Sequence, residues 1–386
     1  MDKNTPKKPL KIFVISGEPS GDQMAVEWLK DIKEKYPDAI FSGVGDECLK
    51  SVGAQSLFPM KDLSVMGITE VLPRLRLILK RIKQTTKRII AENPDYVIGV
   101  DSPDFCLRVM KKLHKARQKD SSLRFKLFHV VAPTVWAWRP GRAKKIAAFL
   151  DHLFCLFPFE PPFFEEVGLK ASYIGHPFVP LYKKPKPLKA WRKDHEIKEN
   201  APLIGILPGS RMGEISRMLP VFMAAAKDIQ KYDAKAHFVI LTLPHLEDEI
   251  KAMTRDFKGH LAITSQKGMK VDFLAGFDVA MATSGTIGLE LSLAKTPHLI
   301  AYKMNKFSAV IARRLVKTPY VHLTNVHLGR MAVPECIQEQ CTASRVARDI
   351  VEIMDSEKRR NKQMAAFDEL DAMLSHDKTT RLVDLI

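Results

Sequence analysis

LIGILPGSRMGE, residues Leu203–Glu214, decides the fold: an apolar run from Leu203 to Leu207 stops at Pro208-Gly209-Ser210-Arg211, and a helix-compatible run follows at once. That is a buried strand, a tight turn and a helix start. Gly209 lets backbone N–H groups approach a ligand, Ser210 is placed to cap the helix, and Arg211 can meet phosphate oxygens in a bidentate way. The chemistry suggested is capture of a phosphate or diphosphate. An ordinary βα turn with a surface arginine reads the same locally, so the rest of the chain has to choose.

Outward from this turn the pattern repeats in both directions. Upstream, strand-like runs at Leu10–Ser16, Ile40–Val44, Tyr96–Val100, Phe125–Val131 and Leu153–Leu156 alternate with helical runs, among them Gln23–Lys35 and Val71–Glu92. Downstream, His237–Leu241, Leu261–Thr264, Val279–Ala282 and His298–Ala301 do the same. Alternation of this kind means βαβ units and parallel sheets covered on both faces. Between His176 and Pro187 it fails, and Pro177, Pro180, Pro185 and Pro187 among lysines read as an interdomain linker. The expectation is α/β, with two Rossmann-like domains and a cleft between them: residues 1–176, residues 177–360, and a C-terminal stretch 361–386.

A length of 386 residues suits two cores, and 46% apolar with 27% charged residues is ordinary for a globular chain. The charge balance is not ordinary, because 61 Lys and Arg against 44 Asp and Glu leave +17 and favour an anionic partner. Cys48, Cys106, Cys155, Cys336 and Cys341 form no CxxC pair, which points to reduced core thiols and no zinc site. The polar start MDKNTPKKPLK has no signal-peptide character, and no run reaches transmembrane length.

Ligands of open α/β sheets bind beyond the carboxyl ends of the strands. The first strand offers Glu18, Ser20 and Asp22 there, and Tyr96–Val100 offers Asp101 and Asp104. In the second half Ser210 and Arg211 are joined by Thr283-Ser284-Gly285-Thr286 at another helix start, with Glu290 about one turn inside. Simpler readings stand beside these: a helix cap plus a surface acid for Asp101 and Asp104, a solvated helix residue for Glu290, interior histidines for His129 and His176. Gly43-Val44-Gly45 opens a dinucleotide fingerprint that fails at Cys48, no GxxxxGK[ST] occurs, and Ala282 spoils a nucleophile elbow around Ser284.

VLPRLRLILKRIKQTTKRII, residues 71–90, carries Arg74, Arg76, Lys80, Arg81, Lys83, Lys87 and Arg88 with no acid, and its leucines and isoleucines recur at near-helical spacing. This is a basic amphipathic helix, fit for an anionic membrane surface or a lipid phosphate; a core helix with a solvated basic face has the same pattern. It lacks the aromatic residues that stacking on nucleic-acid bases needs.

Taken together, SGEPSGD (Ser16–Asp22), VMGITEVL (Val65–Leu72), VDSPDF (Val100–Phe105), APTVWAWRPGR (Ala132–Arg142), LFPFE (Leu156–Glu160), IGHP (Ile174–Pro177), LPGSR (Leu207–Arg211), TSGTIGLE (Thr283–Glu290) and RRLVKTPYVHLTN (Arg313–Asn325) resemble the lipid A disaccharide synthases, inverting glycosyltransferases of the B-type two-domain fold. The loop Gly45–Leu49 and the segment Gly329–Cys336 depart from that pattern. The resemblance implies transfer of a sugar from UDP-2,3-diacylglucosamine to the 6-hydroxyl of 2,3-diacylglucosamine 1-phosphate, giving the lipid A disaccharide 1-phosphate and UDP. It implies Asp101 as general base with Asp104 or Glu18 as the alternative. It places Gly209, Ser210, Arg211, Ser284, Gly285, Thr286, Glu290, Asn325 and Gln338 around UDP. No metal or cofactor is implied, the UDP-sugar being a substrate. Arg74, Arg76, Lys80, Arg81 and Lys83 become a lipid-facing set. The protein is then expected in the cytoplasm, peripherally bound to the anionic inner membrane, with residues 361–386 returning to the first domain, no nucleic-acid partner, and monomer and homodimer both open. Two rivals remain: another sugar-nucleotide enzyme of the same fold, which needs no lipid-facing surface, and a non-enzymatic lipid or nucleic-acid binder, which has no use for an acid at Asp101.

Overall fold

The computed structural model describes residues 8–63, 68–137, 139–265, 269–304, 318–374 and 381–386, the side chains of 68–74 excepted. Two compact units result, one formed by Met1–Pro177 with Ser375–Ile386 and the other by Phe178–Leu374. Each is built on a six-stranded, all-parallel sheet.

In the first unit the strands are β1 (Lys11–Ser16), β2 (Ile40–Val44), β3 (Tyr96–Val100), β4 (Lys126–Val130), β5 (His152–Cys155) and β6 (Ala171–Tyr173), in the order β2-β1-β3-β4-β5-β6. The central strands are buried over almost their whole length, as β-branched and aromatic runs covered on both faces must be. Phe13, Phe125 and Phe154 are fully enclosed, each contributing about 1.5–3 kcal/mol of transfer free energy. In the second unit β7 (Leu203–Leu207), β8 (His237–Leu241), β9 (His260–Thr264), β10 (Val279–Ala282), β11 (His298–Tyr302) and β12 (Glu335–Ile337) run β12-β11-β10-β7-β8-β9.

The strand order fixes where a ligand can sit. In the first sheet the chain steps from β1 to β2 on one side and then crosses to β3 on the other, so the helices leave in opposite directions after β1 and β3 and open a crevice there. The same reversal falls between β7 and β10 in the second. Glu18 and Asp101 follow β1 and β3; Arg211 and Ser284 follow β7 and β10.

The C-terminal stretch divides differently from expectation. The helix Glu357–Leu374 packs in the second unit: Gln363 accepts from His298 N (2.9 Å) and donates to His298 O (3.0 Å), and Phe367 stacks on the His298 ring. The return to the first unit lies further on, where Lys35 Nζ donates to Val383 O (2.9 Å) and Tyr36 Oη to Ile386 O (3.1 Å). The proline-rich stretch after His176 is a docked strap. Lys186 N donates to Asp272 Oδ1 (2.6 Å), and Trp191 meets Phe273 edge-on at 5.0 Å.

Candidate active site

In the first unit two turns are pressed together at the switch point. A Cβ on Gly17 would lie 2.5 Å from Ser102 Oγ, and one on Gly21 would lie 2.7 Å from Asp101 Cβ, so a side chain at either position would force the facing turn to shift. Asp101 (φ 53°) and Ser102 (φ 42°) are consecutive left-handed residues, a conformation that costs about 1–3 kcal/mol each and persists only where the surroundings impose it. Asp101 N donates to Val130 O (3.0 Å), and Ser20 Oγ reaches Asp101 Oδ2 at 3.4 Å. Asp101 is half-buried in the turn that follows β3.

The other acids separate by role. Glu18 is the N-cap residue of helix Pro19–Lys35 in extended conformation, with no capping bond from its side chain. Asp104 sits in the first turn of helix Pro103–Lys119 with its side chain 86% exposed, 3.1 Å from Arg142 Nη2. Asp22 turns inward: buried, it accepts from Asp46 N (2.9 Å), Cys48 N (3.1 Å) and Cys48 Sγ (2.8 Å), and so ties the turn after β2 to the first helix. Burial and this carboxylate hold the Cys48 thiol well above its ordinary range, and all five cysteines are buried and unpaired.

Glu160, in the quoted LFPFE segment but not singled out there, accepts from Trp136 Nε1 (3.4 Å) and Phe157 N (3.2 Å). Burial pushes its carboxyl up to about 8, against those hydrogen bonds. His129 is enclosed in β4, and burial, with the charge of Arg142, takes it down to about 3. It is an interior histidine.

In the second unit the turns after β7 and β10 are joined, Thr283 N donating to Leu207 O (2.9 Å). Gly209 (φ 118°) holds a backbone conformation that residues with side chains rarely adopt, and a Cβ there would also stand 2.7 Å from Glu214 Oε2. Arg211, not Ser210, occupies the N-cap of helix Met212–Tyr232, and no side-chain capping bond forms; Arg211 Nη1 lies 3.5 Å from Glu214 Oε1. Ser210 is thereby left on the turn itself. Gly285 (φ 153°) precedes helix Thr286–Leu293 with open space where its Cβ would be, and Ser284 Oγ donates to Val321 O (3.4 Å).

Glu290 is only 4% exposed and accepts from Tyr182 Oη (2.7 Å) and Lys270 Nζ (2.7 Å), two partners the sequence pattern did not signal. Asn325 is committed to its own loop: its amide donates to Val333 O and Glu335 Oε1 (2.8 Å each) and accepts from Ala332 N and Val333 N (2.8 Å each). Such a residue shapes the wall and has little left to offer a ligand. Gln338 (φ 53°) follows β12, and its enclosed amide nitrogen has no protein acceptor among the described residues.

The basic helix Ile68–Glu92 buries Ile82, Thr85 and Ile89 at a spacing of three and four. Its other face presents Arg76, Lys80 and Lys83 with Leu75 and Leu79, the leucines 40% and 49% exposed. Arg81 does not belong to that face. Its guanidinium is paired with Asp62 at 2.6 Å, bonded to Gln84 and stacked 4.5 Å over the Phe58 ring, because its position on the helix turns it toward the loop preceding it. Arg74 lies outside the described side chains. Among the described residues no helix is long and apolar enough to cross a membrane.

Two open parallel sheets, each with a ligand crevice at its switch point, define the B-type glycosyltransferase fold. Solved structures of that architecture cover almost the whole chain: UDP-GlcNAc 2-epimerase from Neisseria meningitidis bound to UDP-GlcNAc (TM-score 0.61, 13% identity, 95% of this chain and 99% of that one) and MurG of Acinetobacter baumannii (TM-score 0.51, 14% identity, 95% and 99%). At such identity they speak for the fold alone. Sequence narrows the class: the lipid-A-disaccharide synthetase family model matches residues 12–382. The lipid-A-disaccharide synthases of Rhodospirillum centenum (40% identity, 92% of this chain and 88% of that one) and Ruegeria pomeroyi (37%, 88% and 85%) match at comparable length. The chain belongs to the lipid-A-disaccharide synthase family.

Proposed function

We propose that the protein joins UDP-2,3-diacylglucosamine to 2,3-diacylglucosamine 1-phosphate, releasing UDP and the lipid A disaccharide 1-phosphate. The observation that carries this reading is the family match over residues 12–382. The acceptor 6-hydroxyl attacks the anomeric carbon, its proton passes to a carboxylate, and the bond to the diphosphate breaks with its electron pair leaving on UDP. Asp101 is the base, supported by its enforced backbone and its place beyond β3; Glu18 and Asp104 are the alternatives, the latter weakened by its pairing with Arg142.

The second unit holds the nucleotide. Arg211, the N–H groups around Gly209 and Ser210, and the helix start at Ser284-Gly285-Thr286 offset the charge that gathers on the departing diphosphate. Glu290 accepts from the ribose hydroxyls, and Gln338 donates to the ligand. Asn325 acts by fixing the loop behind them.

Acyl chains make both substrates amphiphilic, so the exposed Leu75 and Leu79 with Arg76, Lys80 and Lys83 are the surface that meets the anionic cytoplasmic leaflet of the inner membrane. The assay supplies purified protein with both lipid sugars and follows UDP and disaccharide together. Folded protein that releases no UDP when the acceptor is added would sink the reading.

A further inference from the structure

Glu290 is a buried carboxylate whose orientation is not left to solvent. Tyr182, in the 3-10 turn Val179–Lys183, is itself buried and sends its hydroxyl to Glu290 Oε2 at 2.7 Å. Lys270, the first residue of helix Lys270–Gly276, places its ammonium 2.7 Å from the same carboxylate while staying partly exposed. These two side chains are braced together. Leu188 fills the space over Gly276, where a Cβ would meet its Cδ1 at 2.5 Å, and Lys186 N and Trp191 fasten the same strap to Asp272 and Phe273.

A carboxylate has roughly four acceptor positions on its two oxygens. The phenol binds Oε2 and the ammonium lies 2.7 Å from each oxygen, so the plane of the group is fixed and the lone pairs not used in this way are left to accept from a ligand that brings two adjacent hydroxyl donors. Burial, with Glu290 beside it, pushes the Tyr182 phenol far above its ordinary range, so its hydroxyl stays a donor.

We infer that Tyr182 and Lys270 are positioning residues which aim the Glu290 carboxylate at the vicinal ribose diol of the uridine nucleotide. The inference rests on the transferase reading above and deepens it: the strap that follows the first unit is part of the nucleotide site, and it confers selectivity for a ribonucleotide. Neither residue touches the reacting atoms, so their loss acts on nucleotide binding and on KM for the UDP-sugar more than on kcat.

The test is calorimetric binding of UDP, 2′-deoxy-UDP and 2′,3′-dideoxy-UDP to the full-length protein, to Tyr182→Phe and to Lys270→Gln, with melting temperatures recorded alongside. The native protein should prefer UDP over the 2′-deoxy nucleotide by about tenfold, the worth of one hydrogen bond to a charged group. Tyr182→Phe should weaken UDP by a similar factor and shrink the preference to about twofold, since an unaimed carboxylate no longer distinguishes the sugars. Lys270→Gln should do the same by an independent route. If the native protein binds UDP but does not discriminate, or if both variants lower the melting temperature yet keep the native preference, the positioning role is wrong and the transferase reading survives. Failure of the native protein to bind UDP at all would overturn both.

Discussion

Gly21 and Asp101 meet so closely that a Cβ on the glycine would lie 2.7 Å from the Cβ of the aspartate. Gly21 is the third residue of helix Pro19–Lys35, in its first turn, where alanine would favour the helix by up to about 1 kcal/mol. Gly21→Ala therefore separates two effects that usually coincide. We expect little loss of melting temperature, because helix propensity offsets part of the clash, but a fall in kcat of about a hundredfold, because an ångström-scale displacement of a reacting group costs that much. Native kcat in this variant would remove Asp101 from the reacting centre.

Asp101→Asn keeps the shape of the turn and removes the proton acceptor. Turnover should fall by at least about a thousandfold with UDP affinity retained, in line with the upper range of base catalysis. Arg211→Ala should weaken UDP binding and lower kcat together, because the guanidinium meets charge that is present in the ground state and grows in the transition state. Equilibrium binding of UDP beside steady-state rates separates the two patterns. Wild-type turnover in Asp101→Asn would pass the base role to Glu18 or Asp104.

Much of this was legible in the chain because buried parallel strands are spelled as apolar runs, and ten of the twelve strands among the described residues coincide closely with such runs. The other two, β6 (Ala171–Tyr173) and β12 (Glu335–Ile337), are three-residue edge strands, too short to show a pattern. The turns at Gly17–Asp22, Leu207–Arg211 and Thr283–Glu290 were legible for the same reason, as glycine and hydroxyl residues interrupting apolar runs. What local sequence does not encode is who meets whom. Asp22 reads like a ligand-facing acid and is instead an inward clamp on Cys48. Arg81 reads as one of a basic stripe and is taken by Asp62. Tyr182 sits among prolines that suggest a free linker, while its partner Glu290 is 108 residues away.

His298 and His322 form a buried pair whose tautomers are dictated by their partners. His298 Nδ1–H donates to Thr296 O (2.7 Å), which leaves its Nε2 to accept from His322 Nε2–H (2.9 Å); His322 Nδ1 then accepts from Thr324 N (3.0 Å). Burial takes His298 from 6.5 down to about 4, and His322 well below its ordinary value through burial and the neighbouring ring. Folded-state values are depressed, so below 6.5 the unfolded chain binds more protons and stability falls with pH until the folded rings titrate. Each ring contributes a slope of up to about 1.4 kcal/mol per pH unit in that window. Thermal melts should be flat above pH 7 and drop steadily between about pH 6.5 and 4, and His322→Gln should flatten the drop while lowering stability at neutral pH. An unchanged slope in that variant would show that other groups carry the acid sensitivity.

The exposed face of helix Ile68–Glu92 gives the last test, because it separates basic residues that look alike in sequence. Leu75 and Leu79 stand in solvent beside Arg76 and Lys80, whereas Arg81 lies folded against Asp62 and Phe58. Each leucine that leaves water for the interfacial region contributes up to about 1.5–3 kcal/mol, and each nearby cation about 1 kcal/mol on an anionic surface. Replacing Leu75 and Leu79 with serine should therefore reduce co-sedimentation with vesicles containing anionic phospholipid by tenfold or more, leaving the melting temperature near native. Arg76→Gln with Lys80→Gln should reduce it less, and salt should mimic their effect on the native protein. Arg81→Gln should do the reverse, lowering the melting temperature through the loss of a half-buried ion pair and a cation–π contact while vesicle binding of the folded fraction holds. Equal vesicle binding by the double serine variant and the native protein would show that this face is solvated surface, and that the lipid substrates are met elsewhere.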